Sequence, residues 1–197
     1  GYDMIFTASL GFMEGTYIAA QAYPDVLFEN AGGYKRLPNM STYFGKVFQT
    51  RFLSGIVAGM MTKNNKIGYV TSFPSPEMKW NLNGFALGVK TVNPDATINV
   101  VWTNTFYDPV VERTAAEALA DMGVDIIGMH QNSPNAMMVA QERGIYGIGY
   151  QWDMRPHAPK AVLTTVAWNW GPYYLETVKA AQEGKWESHD AFLGLET

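Results

Sequence analysis

The amino-acid sequence predicts an α/β fold with parallel sheets flanked by helices. Two patterns along its 197 residues support this prediction. Short apolar runs rich in Val, Ile and aromatic residues have the length of buried strands. Stretches with apolar residues at helical spacing separate most of these runs. Repeated strand–helix–strand units of this size require parallel strands that are covered by helices on both faces.

The individual elements follow from these patterns and from the residues that end them. The predicted strands are 4–6, 26–28, 67–70, 98–102, 124–127, 146–150 and 162–166, and the helical spacing covers 44–60, 78–89, 111–122 and 174–181. Asn93-Pro94-Asp95 ends one helix, and Asp108 before Pro109 is expected to cap the start of the next. Gly123 and Gly144 each close a helix before a strand begins.

Composition excludes several classes of function. The 14 basic and 18 acidic residues give a net charge of −4, so we expect no nucleic-acid partner. The sequence has no cysteine, which excludes disulfides, thiolate zinc sites and a cysteine nucleophile. Charged and polar residues interrupt every apolar run before it reaches the length of about 18 residues that spans a bilayer.

The loops that follow the predicted strands contain the candidate site residues. In open parallel sheets, ligands bind outside the carboxyl ends of the strands. Each of these loops combines aromatic side chains with hydroxyl, amide or carboxylate groups, a combination that suits a planar, neutral, hydrogen-bonding ligand such as a purine base. A phosphorylated ligand fits poorly because there is no glycine-rich phosphate loop. The candidates are Ser9, Phe12, Phe73, Phe106, Gln131, Asn132, Trp152, Asp153 and Trp168.

Each candidate also has a purely structural interpretation. The phenylalanines and tryptophans could pack against the rim of the sheet, and Trp170 is expected to do so. Asp153, directly after a buried strand, is either a turn or helix cap or an acceptor for the ligand, because an unpaired buried charge is costly.

The sequence gives little support for a catalytic site or a metal site. His130 and His157 are the candidates for a general base in this region, but no histidine spacing typical of zinc sites is present. No Gly-x-Ser-x-Gly motif supports a hydrolase triad. We therefore expect no metal, no cofactor and no enzymatic activity.

The order of the motifs along nearly the whole chain resembles one protein family. The matching segments are YDMIFTASLGF (2–12), KIGYV (66–70), NGFALG (83–88), NTFYDP (104–109), IGYQWDM (148–154), and LTTV (163–166) followed by WGPYY (170–174). In this order they resemble the basic membrane protein family, whose members are substrate-binding proteins of ABC importers and include purine nucleoside receptors.

The resemblance implies a two-lobe periplasmic-binding-protein fold of type I whose lobes close on a ligand. Residues 1–36 and 170–197 would form the first lobe, and 37–169 the second. It also implies that Phe106 stacks on the base and that Asp153 bonds the ligand. An ABC transporter membrane permease would be the protein partner. The protein would be periplasmic or a cell-surface lipoprotein, with its signal segment and anchor outside this chain.

Two features depart from the family pattern. Trp168 stands where some nucleoside-binding members have a lysine, which favours a free base such as adenine over a nucleoside. Family members also have further residues before and after the region that matches. We therefore expect this chain to be truncated at both ends.

The sequence thus predicts a substrate-binding component of an ABC importer that captures a purine base or purine nucleoside. Two alternatives remain. One is a cytoplasmic ligand-sensing regulator on the same fold, since a fold does not determine function. The other is a nucleoside-cleaving enzyme that uses Asp153 or His130 as its base.

Overall fold

The computed structural model describes residues 1–195 and contains every predicted strand and helix, with shifted ends. The strands are β1 (Met4–Thr7), β2 (Leu27–Ala31), β3 (Met40–Gly45), β4 (Lys66–Thr71), β5 (Thr97–Trp102), β6 (Ile126–His130), β7 (Tyr146–Gln151), β8 (Val162–Ala167) and β9 (Asp190–Leu193). The helices are α1 (Met13–Ala22), α2 (Val47–Met61), α3 (Pro76–Val92), α4 (Pro109–Asp121), α5 (Asn135–Glu142) and α6 (Gly171–Gln182).

The chain divides into two compact units, each with its own parallel sheet. The first unit contains Gly1–Lys46 and Asn169–Thr197, and its strands lie in the order β1-β2-β3-β9. The second contains Val47–Trp168, and its strands lie in the order β5-β4-β6-β7-β8. These parallel sheets with flanking helices confirm the predicted fold class. Among residues 1–195, no helix has both the length and the apolar character needed to cross a bilayer.

The first unit extends further along the chain than the predicted lobe boundary at residue 37. β3 pairs with β2 and with β9, and Thr42 lies opposite both Asn30 and Asp190. Phe44 is therefore in a strand, and its expected place in a helix was wrong. Thr42 and its aromatic neighbours favour strands, and the helix begins only at Val47.

Helices α2 and α3 pack against each other at very short range in the second unit. A side-chain carbon added at Gly88 would lie 2.0 Å from the carbonyl oxygen of Phe52, and one at Gly55 would lie 2.1 Å from that of Phe85. Only glycine allows the two backbones to approach this closely. The helix pair covers a core in which Tyr69 and Phe85 are fully buried.

The start of α4 fixes the loop that follows β5. Asp108 caps this helix, as predicted, because its Oδ1 accepts hydrogen bonds from the backbone N–H groups of Val110 (3.0 Å) and Val111 (3.1 Å). Oε1 of Glu112 accepts the Asp108 backbone N–H at 3.1 Å in return.

A buried acid joins distant segments of the first unit. Glu29 on β2 has no exposed surface, and its carboxylate accepts hydrogen bonds from the Tyr173 hydroxyl and the Trp186 Nε1, both at 2.8 Å. The Tyr173 hydroxyl also contacts Nε2 of His189 at 2.9 Å. Burial raises the pKa of Glu29, and the hydrogen bonds partly oppose this shift.

Candidate ligand-binding site

The loops that follow the five strands of the second sheet lie side by side at its carboxyl edge. Main-chain hydrogen bonds connect several of them. The backbone N–H of Asn132 donates to the Phe106 carbonyl at 3.2 Å, and that of Trp168 donates to the Gln151 carbonyl at 3.3 Å. The structure therefore brings the candidate residues of the second unit to one edge.

Two aromatic side chains at this edge contact each other and remain open to solvent. The ring centroids of Phe73 and Phe106 lie 5.2 Å apart, with 62° between the ring planes. Phe73 is 38% exposed and Phe106 is 53% exposed. These rings are not buried in the core, so their faces are available to stack on a flat ligand.

Amide side chains connect the neighbouring loops. Nε2 of Gln131 donates a hydrogen bond to the Thr103 hydroxyl, and Nε2 of Gln151 donates one to Oδ1 of Asn132. Gln131 is 1% exposed and therefore holds its loop in place, whereas Asn132 is half-buried and is available at the edge.

Asp153 is an exposed acid with an ion-pair partner two residues away. Both of its carboxylate oxygens accept hydrogen bonds from the Arg155 guanidinium, at 2.7 to 3.0 Å, and Oδ1 also accepts the Arg155 backbone N–H at 3.0 Å. Hydrogen bonds from Arg155 lower the pKa of Asp153 to about 2. Asp153 is thus an ionised, paired acid and not the unpaired buried charge considered above. Its neighbour Trp152 is 41% exposed.

A shallow cavity lies beside this ion pair. Its volume is about 280 Å³, and Asp153 and Arg155 line it together with residues 162–165 and Ala167. It lies along β8, the edge strand of the second sheet. Asp153 therefore faces concave space even though its carboxylate is paired.

Trp168 belongs to a polar aromatic cluster that the sequence analysis missed. Its ring packs edge-on against that of Tyr150, with 6.4 Å between the two centroids. The Tyr150 ring also contacts the imidazole of His130, at 3.9 Å between centroids, and the Arg51 guanidinium, at 4.5 Å. Arg51 Nη2 lies 3.1 Å from His130 Nδ1. Arg51 has no exposed surface, so this cation lies beneath the carboxyl edge of the sheet.

The position of Arg51 within α2 was the available signal for this cluster. Val47, Arg51 and Ala58 lie on one buried face of the helix at helical spacing. A cation at a core position of an otherwise apolar helix face indicates a buried polar partner in the tertiary structure.

Ser9 and Phe12 follow β1 in the first unit. The Ser9 hydroxyl accepts the Gly11 backbone N–H at 3.4 Å, and its carbonyl accepts from Nδ2 of Asn30 at 3.4 Å. Phe12 is 64% exposed. Neither side chain is buried in the core of its unit.

Strained backbone is found in three of the loops that follow strands. Ser9, Asn104 and Gln151 have positive φ angles of 88°, 55° and 74°. Residues other than glycine adopt such angles at a cost, and they cluster at ligand-binding sites. The strain therefore points to the same loops as the exposed aromatic side chains.

The comparison with known protein families decides the assignment. The family model Bmp, described as ABC transporter substrate-binding protein PnrA-like, matches residues 1–197. The chain belongs to the Bmp family. The resemblance inferred from the ordered motifs is confirmed.

Two curated relatives show how this Bmp chain compares with longer proteins. A purine-binding protein of Brucella abortus is 43% identical over 195 residues, which are 99% of this chain and 56% of the relative. A protein of Haloferax volcanii named as an ABC transporter glucose-binding protein is 40% identical over 99% of this chain and 50% of its own length. The Bmp chain spans about half the length of these relatives.

A solved structure confirms the fold of the Bmp chain. An ABC transporter solute-binding protein from Aeropyrum pernix superimposes with a TM-score of 0.83 at 21% identity, over 99% of this chain and 58% of that one. The neighbour supports the periplasmic-binding-protein type of fold.

The Bmp assignment agrees with the expectation that this chain is not an enzyme, because the family and the Brucella relative are named for binding. His130 is also poorly suited to act as a general base. It is 5% exposed, its Nδ1 contacts Arg51, and burial together with the arginine charge holds its pKa well below the usual range. Within the described part of the Bmp chain, no group of three or more metal-ligating side chains comes together.

Proposed function

We propose that this protein is the substrate-binding component of an ABC importer and captures a purine base or purine nucleoside. The observation that supports the proposal most directly is the exposed pair of Phe73 and Phe106, with Asn132 hydrogen-bonded through its backbone to the Phe106 loop. Aromatic faces supply stacking area, and the neighbouring amide supplies directional hydrogen bonds to the polar edge of a heterocycle.

The family assignment does not specify which ligand the protein binds. One relative is named as purine-binding and another as glucose-binding, so membership of the family leaves the ligand class open. The three aromatic side chains Phe73, Phe106 and Trp168 at one sheet edge favour a flat heterocycle. Trp168 in place of a lysine further favours adenine over a nucleoside, because an indole adds a stacking face and removes a cationic donor.

The protein partner and the location belong to the same proposal. A substrate-binding protein of an importer delivers its ligand to a membrane permease, which requires a periplasmic or cell-surface position. Closure of the protein around its ligand would stabilise the bound state through contacts that only the closed state makes.

Isothermal titration calorimetry of the complete protein tests the ligand class. Adenine, guanine, hypoxanthine, their nucleosides and glucose are titrated under the same conditions. We expect a free purine base to bind most tightly. Binding of glucose without binding of any purine would overturn the proposed ligand class.

Removing the stacking ring tests the site. Phe106→Ala is expected to weaken purine binding by about 1–3 kcal/mol, the general contribution of a base stacked on an aromatic side chain. Tyr34→Ala is the control, because Tyr34 is a 75% exposed aromatic residue of the first unit. Equal affinities of Phe106→Ala and the unmodified protein, measured by the same calorimetry, would contradict the assigned role.

A further inference from the structure

Glu77 is an acid at the carboxyl edge of the second sheet with no described partner. It follows the Phe73 loop and lies in the first turn of α3, where Ser75 caps the helix and Pro76 occupies its first turn. The Glu77 side chain is half-buried. Within residues 1–195 no hydrogen bond or ion pair offsets this burial, and the desolvation raises the pKa of Glu77.

Glu77 lies at helical spacing from Asn81 and Gly84, two residues of the buried face of α3. Burial raises the pKa of the Tyr150 hydroxyl at the end of β7, and the charge of Glu77 adds to this shift. Tyr150 in turn contacts Trp168, the aromatic candidate at the end of β8. Glu77 thus begins the helix that follows the Phe73 loop, and its charge acts on the Tyr150 hydroxyl.

Further polar groups at the same edge have no hydrogen-bond partner among the described residues. They are Oγ1 of Thr71, Oγ of Ser72 and Oε1 of Gln131, and all three side chains are at most 1% exposed. They belong to the ends of the adjacent strands β4 and β6. Buried polar groups are nearly always satisfied, so this edge has hydrogen-bonding capacity that the chain itself does not use.

We infer that Glu77 accepts a hydrogen bond from an N–H group of the bound purine, an inference that rests on the proposed function. A part-buried carboxylate without a partner is unfavourable in the empty protein, and a ligand donor would relieve that cost. The pairing of Asp153 with Arg155 leaves Glu77 as the acid with unused acceptor capacity at this edge.

The test is calorimetry with Glu77→Gln in the complete protein. Adenine is the reference ligand; 9-methyladenine lacks the ring N9–H, and unsubstituted purine lacks the 6-amino donors. We expect Glu77→Gln to bind adenine about ten-fold or more weakly, as for the loss of a hydrogen bond to a charged group. One of the two analogues should bind the unmodified protein about ten-fold more weakly than adenine does. The same analogue should show little further loss in Glu77→Gln, because the two changes remove one interaction.

Two controls separate this role from an effect on folding. Glu176→Gln removes an exposed acid from α6 and should leave adenine affinity unchanged. Glu77→Asp keeps the negative charge in the first turn of α3, so its thermal stability should match that of the unmodified protein. Its shorter side chain should still weaken adenine binding.

The outcomes distinguish this inference from the proposed function. If the unmodified protein binds adenine and Glu77→Gln binds it equally well, the role of Glu77 is wrong and the proposed function stands. Uniform weakening of adenine and both analogues by Glu77→Gln would also overturn the inference. If the unmodified protein binds no purine, the proposed function fails, and the inference fails with it.

Discussion

Single residues at the sheet edge show what a sequence predicts well and what it does not. The side-chain types and their loop positions could be read from the sequence, and the structure brings Phe73 next to Phe106 as expected of residues after adjacent strands. The state of Asp153 could not be predicted, because its pairing with Arg155 depends on how the loop turns between them. Arg51 and Glu77 were not recognised as candidates, because the burial of their charged side chains is apparent only in the tertiary structure.

The family resemblance implies that Asp153 bonds the ligand, and in the structure its carboxylate is paired with Arg155. A ligand donor must compete with the Arg155 guanidinium for the carboxylate. Replacing Asp153 should therefore weaken ligand binding, whereas replacing Arg155 should not. We predict that Asp153→Asn weakens purine binding by about ten-fold and that Arg155→Gln does not weaken it. Both variants should unfold like the unmodified protein, because exposed ion pairs contribute little to stability.

Calorimetry on the two variants checks this prediction, with thermal unfolding as the control for folding. If Arg155→Gln loses as much affinity as Asp153→Asn, the intact ion pair is what matters for binding. The acceptor role of Asp153 would then be wrong.

At the scale of elements, the sequence predicted those strands that are recognisable from their own apolar residues. The buried strand β6, for example, is apolar from residue 126 to residue 129 and is recognisable without its neighbours. β9 was missed because it is a short strand that, among the described residues, pairs only with β3, across most of the chain. β3 pairs with both β2 and β9 and was missed because its end was assigned to a helix. Phe44 was misassigned because an aromatic residue three positions before Val47 also fits helical spacing.

The contact between α2 and α3 leads to a prediction about Gly88. In Gly88→Ala the new methyl group would meet backbone atoms of Phe52 and Ile56, at 2.0 to 3.0 Å, so the helices must separate. We expect a loss of about 1–3 kcal/mol in the free energy of unfolding, measured by urea denaturation.

Gly15 in α1 provides the matched control. A side-chain carbon there would meet no atom within 4 Å. Gly15→Ala should therefore stabilise the protein by about 0.5–1 kcal/mol through helix propensity. If Gly88→Ala were also stabilising, the close helix contact would be wrong.

At the scale of the whole molecule, the chain leaves the first unit after Lys46 and returns to it at Asn169. The family resemblance implied lobe bounds at residues 37 and 170, and the first compact unit extends beyond residue 37 because β3 belongs to its sheet. The fold alone also leaves the alternative of a ligand-sensing regulator open, since receptors and regulators share such folds. Only the site and its ligand can separate these functions.

Glu29 links the two chain segments of the first unit and makes global stability depend on pH. Burial raises its pKa in the folded protein above the ordinary value of 4.5, so the folded protein holds this proton at pH values where the unfolded chain has released it. The contribution of Glu29 to stability is therefore complete below that value and is lost as pH rises through the raised pKa. Glu29→Gln cannot release a proton. As pH rises through this interval, the unmodified protein should therefore lose stability relative to the Glu29→Gln variant. Urea denaturation at a series of pH values measures this difference, and a difference that stays constant with pH would show that Glu29 is not desolvated in the folded chain.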